Sequence, residues 1–158
     1  MTVRKAQKDD FESIQELNYQ IFEYEYDNCS KTMNKEYPYI ETGIAYFKKI
    51  VNEEEGNSGF VYENKGVVVG YASLRIIKEQ DLTHRTGIKQ VQLQTLCVDK
   101  KHRGQGIGQA LVAASKAWAK GQGANNLKVI AMAQNENARS FYKECGFGEY
   151  EIIHEVEL

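Results

Sequence analysis

The sequence is short of prolines, cysteines and long apolar runs, and each shortage removes a class of protein. Its single proline, Pro38, leaves no Pro-rich linker to divide the chain. The three cysteines, Cys29, Cys97 and Cys145, are odd in number and far apart, with no Cys-x-x-Cys pair and no Cys/His cluster at metal-ligand spacing. They read as reduced thiols, and no metal is expected. No apolar run approaches the roughly 20 residues that cross a bilayer, and the opening Thr2-Val3-Arg4-Lys5 lacks the apolar centre of a signal peptide. A membrane partner is therefore not expected, and the expected location is the cytoplasm. Charge of neither sign dominates: 20 Lys and Arg face 22 Asp and Glu, for a net charge of −2. The chain thus lacks the basic field on which non-specific nucleic-acid binding relies, and nucleic acid is not expected as a partner.

What is present fits one ordinary globular domain: 158 residues, 42% hydrophobic and 27% charged, with no internal repeat. Hydrophobic period gives the elements. A short strand at Val3 to Ala6 precedes a helix that Asp9 could cap, with Phe11, Ile14, Leu17, Ile21 and Phe22 at helical spacing. A second helix carries Ile40, Ile44, Phe47 and Val51. Phe60 to Glu63 and Val67 to Ile77 are β-rich runs joined through Asn64-Lys65-Gly66, a hairpin signal. After a polar loop over 78–87 come a strand from Val91 to Val98 and a helix from Gly106 to Lys120, with Ile107, Ala110, Leu111, Ala114 and Trp118 on one face. Leu127 to Ala133 reads as a strand, Asn137 to Cys145 as a short helix and Phe147 to Val156 as a last strand. The order βααβββαβαβ is that of a mixed α/β (α+β) domain.

The most informative stretch runs Val98-Asp99-Lys100-Lys101-His102-Arg103-Gly104-Gln105-Gly106-Ile107-Gly108, ending a strand and opening a helix. Alternating glycines let backbone N–H groups approach a ligand closely, and the helix N-terminus adds about half a positive charge in the same place. That combination suits pyrophosphate, with Arg103 able to add a charge-assisted hydrogen bond. The spacing excludes a P-loop, since Gln109-Ala110 stands where Lys-Ser/Thr is required. It also excludes the dinucleotide fingerprint, whose third glycine falls here on Leu111. By itself the cluster would also serve as a loop of positive-φ glycines before an ordinary helix.

About thirty residues on, Asn135-Glu136-Asn137-Ala138-Arg139-Ser140-Phe141-Tyr142 leads into Gly146-Phe147. Together, Arg103-x-x-Gly106-x-Gly108 and Asn135-x-x-Ala138-x-x-Phe141-Tyr142 resemble, in order and separation, the two signature motifs of the GNAT acetyltransferase superfamily. Weaker agreement extends through Val69-Gly70-Tyr71. The resemblance implies a single N-acetyltransferase domain over residues 1–158 with a splayed central sheet. In it acetyl-CoA would lie between diverging strands at Val91 to Val98 and Leu127 to Ala133. It further implies pyrophosphate on Arg103, Gly104, Gln105, Gly106, Ile107, Gly108 and Gln109, and pantetheine along Leu96, Cys97 and Val98 with its end at Asn135. A backbone N–H of that strand would stabilise the oxyanion.

Tyr142 is the expected general acid, because a departing thiolate gains from a proton delivered as it leaves. The spacing of Ala138, Phe141, Tyr142 and Cys145 equally suits the buried stripe of a short helix. Cys97 and Cys145 have no basic neighbour in sequence to activate them and read as packing. The attacking amine must lose a proton, since a lysine-like ammonium is neutral in only about one molecule in two thousand at pH 7. Many members of the resembled family use a carboxylate four residues before the valine matching Val98. Here that position is Gln94, which cannot act as a base. Glu25, Asp27, Glu79 and His84 are the candidates by position. The run Phe22-Glu23-Tyr24-Glu25-Tyr26-Asp27 would suit a cationic amine through charge and cation–π contact, and equally a solvated helix end. Tyr24, Glu25, Asp27 and His84 are thus the candidate substrate residues. Three readings remain open: acetylation of a small-molecule amine, acetylation of a protein N-terminus or lysine, and a non-catalytic acyl-CoA sensor. A homodimer through the last strand is compatible with the resemblance.

Overall fold

The computed structural model describes residues 2–77 and 87–156. Among the described residues five strands form one sheet in chain order: β1 (Thr2–Lys5), β2 (Asn57–Asn64), β3 (Val67–Ile76), β4 (Gln90–Val98) and β5 (Asn126–Val129). Neighbours from β1 to β4 are antiparallel, and β5 runs parallel to β4. The parallel pair is joined through helix α3 (Ile107–Gly121), because two parallel strands need a crossover. The mixed sheet expected from the sequence is the one found. Among the described residues no helix is long and apolar enough to cross a membrane.

The β2–β3 hairpin turns through Lys65 and Gly66, both at positive φ (52° and 80°), which is the two-residue geometry that matches strand twist. Helices α1 (Phe11–Asn28) and α2 (Glu41–Val51) pack on one face with Ile14, Leu17, Phe47, Ile50, Val61, Tyr71 and Cys97. Helix α3 and α4 (Glu136–Glu144) cover the other, over Ala72, Leu74, Val91, Leu93 and Leu111. One irregularity in β4 decides which side chains reach which face. Ser73 pairs with Thr95 and Leu74 with Leu93, so Gln94 is an extra residue without a partner on β3. This bulge shifts the alternation by one. Leu93, Leu96 and Val98 therefore share the α3/α4 face, while Cys97 turns to α1.

Three sequence expectations need correction. The α1 entrance is organised by Asp10, not Asp9. Its buried carboxylate accepts both guanidinium arms of Arg4 (2.7 and 2.8 Å) and the Gln7 N–H (2.7 Å), while Arg4 Nε donates to Glu63 on β2 (2.9 Å). The strand expected to reach Ala133 ends at Val129, because β4 has by then diverged and a strand exists only while it has a ladder partner. The last strand, expected over 147–156, is absent among the described residues. Alternation signals β propensity there, but no neighbouring edge pairs with it. Its Tyr150, Ile152, Ile153 and Val156 are exposed. Charge pairs hold it instead, Lys128 to Glu151 (2.6 Å) and Arg139 to Glu149 (3.0 Å).

Candidate functional site

The sheet opens at one place. Residues Gln90 to Leu93 of β4 pair with Asn126 to Val129 of β5, and the ladder stops there, while pairing with β3 continues to Val98 opposite Gly70. From Thr95 onward β4 is thus paired on its β3 side, and its other backbone edge, at Leu96, Cys97 and Val98, faces a gap. Unpaired strand N–H and C=O groups are strong hydrogen-bonding groups. A ligand with amide groups of its own can take the place of the missing strand.

The gap leads to the start of α3. Asp99 caps the turn after β4 by accepting the Lys101 N–H (2.8 Å), and Arg103 Nε ties back to the Val98 carbonyl (3.0 Å). The exposed Arg103 thereby has its guanidinium fixed beside the strand end. Gly104 and Gly106 both take positive φ (73° and 77°), where a side chain would be strained. The first α3 residue to bond within the helix is Ala110, to Gly106 O (3.0 Å). The N–H groups of Ile107, Gly108 and Gln109 point out of the helix end, as in any α-helix, where backbone donors and the helix dipole favour an anion. A Cβ on Gly108 would lie 2.9 Å from the Phe141 ring, so the two sequence motifs touch through the absence of that side chain. Asn135 caps α4, accepting the Ala138 N–H (3.1 Å), which leaves its amide NH2 as the donor to offer elsewhere.

Tyr142 sits between Phe141 and Phe147, with ring centroids 5.5 and 5.7 Å away. Burial raises its hydroxyl well above the phenol range, helped by Cys145, Glu25 and Cys97, so it holds its proton across neutral pH. The second half of α1 approaches α4, where the Asn137 amide reaches across to the Tyr24 hydroxyl (3.4 Å). Burial also raises the Glu25 carboxyl above its ordinary value. Asp27 lies elsewhere: it is exposed and 3.8 Å from Lys31, while Tyr26 faces the ammonium groups of Lys31 (4.4 Å) and Lys35 (4.9 Å). His84 and Glu79, with the rest of 78–86, lie outside the described residues. Cys97 donates to the Leu17 carbonyl (3.1 Å), and burial pushes its thiol up to about 12. Cys145 is likewise raised by burial. Neither is a ready thiolate. Among the described residues no group of three or more His, Cys, Asp and Glu side chains is arranged to hold a metal.

Sequence reasoning missed the polar pairings that position this cleft. Gln94, turned by the bulge onto the α1/α2 face, accepts from the Tyr46 hydroxyl (2.9 Å), which also lies 3.2 Å from Ser73 Oγ. Burial pushes the Tyr46 hydroxyl up to about 12, so it remains a donor. Gln20 of α1 reaches Asp99. The one available signal was a glutamine three residues after Leu17, on the stripe the helix buries.

Residues 11–147 match the model of the acetyltransferase (GNAT) family. N-acetyltransferase 8 of Mus musculus is 32% identical over 108 residues, which are 68% of this chain and 46% of that protein. The chain spans about half the length of the curated relatives it matches. Among solved structures, a tetramutant of a Bacillus halodurans protein has a TM-score of 0.88 at 22% identity, covering 100% of both chains. An aminoglycoside N-acetyltransferase in complex with CoA has a TM-score of 0.76 at 18% identity, covering 99% of this chain and 93% of that one. At these identities the likeness is one of fold.

Proposed function

The chain belongs to the GNAT acetyltransferase family, and on that premise we propose that it moves the acetyl group of acetyl-CoA directly onto a primary amine of a small, cationic molecule. The observation that carries the proposal is the one-sided pairing of β4 from Thr95 to Val98, opening onto the α3 N-terminus with Tyr142 nearby. The CoA held by the aminoglycoside acetyltransferase of the same fold supports acetyl-CoA as cosubstrate. Leu96, Cys97 and Val98 would pair with the pantetheine amides, Gly104 to Gln109 and Arg103 would hold the pyrophosphate, and the Asn135 amide would meet the pantetheine end.

The neutral amine attacks the acetyl carbonyl; the N–C bond forms and, as the tetrahedral intermediate collapses, the C–S bond breaks. Backbone N–H groups of the open β4 edge stabilise the oxyanion. Tyr142, kept protonated by burial, gives its proton to the departing sulfur. Of the two candidate bases among the described residues, Glu25 is the one whose placement favours the role: its carboxyl is partly buried and electrostatically linked to Tyr142, and burial makes it the stronger base. It would take the amine proton and, before that, attract a cationic acceptor along with Tyr24. The free cysteines support action in the cytoplasm. The exposed apolar side chains of 150–156 support a homodimer, to be read from the mass in solution.

The test is thiol release from acetyl-CoA over a panel of polyamines, amino acids, aminoglycosides and short peptides. Turnover on one class, falling about 10²-fold in Tyr142→Phe with acetyl-CoA affinity intact, is the expected result. Tight acetyl-CoA binding with no acceptor turned over across wider panels would favour a sensor.

A further inference from the structure

Helix α1 touches the strand end and the anion loop through one polar side chain. Gln20 Nε2 donates to Asp99 Oδ2 (3.1 Å), and Gln20 Oε1 accepts the Lys100 N–H (3.3 Å), so a single amide grips the connection at two successive residues. Asp99 is the hub of that connection. Its other oxygen accepts the Lys101 N–H (2.8 Å) and lies 3.2 Å from His102 Nδ1. These bonds, with that of Gln20 foremost, hold its carboxyl below the usual range despite burial, so Asp99 is a fixed anion at neutral pH. The next residue after this turn is Arg103. Along the same stripe of α1, Leu17 accepts from Cys97 one turn earlier, and Tyr24 meets Asn137 one turn later. The helix thus runs beside the strand end, the loop and α4, and Gln20 is its grip on the loop.

We infer that Gln20 is a positioning residue for the acetyl-CoA phosphate site: it clamps Asp99 and Lys100, so that Arg103 and the glycine turn are held in their anion-binding arrangement before the ligand arrives. The inference rests on the transferase reading above. Pre-arrangement lowers the ordering cost of binding, so its loss weakens affinity without altering the chemistry once the ligand is bound. Replacing Gln20 by leucine removes both bonds and keeps a side chain of similar size. Gln20→Glu keeps the acceptor for Lys100 but sets a carboxylate against Asp99.

The test is the KM and calorimetric Kd for acetyl-CoA, with kcat at saturation, for wild type, Gln20→Leu, Gln20→Glu, Asp99→Ala and the double variant Gln20→Leu/Asp99→Ala. The expected result is a five- to twentyfold rise in KM and Kd for Gln20→Leu with kcat within about twofold, at least as large a rise for Gln20→Glu, and a double variant no worse than the poorer single one. Unchanged KM in Gln20→Leu, or effects of Gln20 and Asp99 that multiply in the double variant, would overturn it. Should Gln20→Leu not fold, Gln20→Glu decides alone, and an unchanged KM there overturns the clamp. A wild type that takes up no acetyl-CoA would instead overturn the transferase reading and this inference with it.

Discussion

The two faces of the sheet are built differently. Under α3 and α4 the buried residues are aliphatic, from Val69 and Ala72 to Leu111 and Val112, and the buried Ser115 spends its hydroxyl on Leu111 O of its own helix. Under α1 and α2 several polar groups are buried and paired at a distance, although Asn18 bonds within its own helix. Gln15 donates to Pro38 O, Cys97 to Leu17 O, and Tyr46 to Gln94. On the proposed function the first face would hold acetyl-CoA with backbone and close packing, which suits a ligand that is always the same. On the proposed function the second supplies side chains toward the acceptor, with Gln20 turned instead to the loop after β4. The difference is one of what can vary.

Three substitutions sharpen that contrast. Glu25→Gln is expected to have the largest effect: kcat/KM at pH 7 falls about 10²-fold, and the acid limb of the pH–rate profile disappears. Because burial raises the Glu25 pKa, the folded chain holds that proton more tightly than the unfolded chain does. Stability associated with it is complete below the unfolded value and is lost as pH rises through the folded one. The variant should therefore melt higher than wild type at pH 7 and alike at pH 4, a thermal scan at both values being the check. A Glu25→Gln enzyme with wild-type rate and profile would remove the catalytic role of the α1/α2 face.

On the other face, Gly108→Val forces a side chain into the Phe141 ring and should cost about 2 kcal/mol in urea unfolding, by overpacking between α3 and α4. Acetyl-CoA affinity falls with it, whereas the relative preference among acceptors stays. The smallest effect is expected of Tyr46→Phe, which deletes one hydroxyl donor and leaves Gln94 and Ser73 without it. About 1 kcal/mol of stability is lost, and acceptor KM moves more than acetyl-CoA KM. If acetyl-CoA KM moved instead, the division of labour between the faces would be wrong.

The same contrast governs what could be read in the sequence. The α3/α4 face announces itself locally: Gly104, Gly106 and Gly108 stand in one short run, and Phe141 and Tyr142 follow at helical spacing. The strands β2 to β4 and the helices α1 to α4 were visible in hydrophobic period, with the hairpin turn at Asn64-Lys65-Gly66. The pairings of the other face join residues far apart in sequence, Tyr46 to Gln94 and Gln20 to Asp99, which no local pattern records. Gln94 marks the limit well. Its identity stood out as the absence of a carboxylate, but its place as the extra residue of a bulge follows from register with β3, which periodicity alone does not fix. The final strand failed for a related reason, since propensity is local and pairing is not.

The pairing of β1 sets an order on how the chain assembles. Thr2 to Lys5 hydrogen-bonds with Phe60 to Glu63, and the Arg4 guanidinium bridges Asp10 and Glu63. This strand must wait until about sixty more residues have followed it, and a contact so distant in sequence closes late. The β2–β3 hairpin, closed by two residues, can form without it. Edge strand β1 therefore joins a ribbon already made, and the ion pairs around Arg4 act as the last fastening of that edge and not as its nucleus.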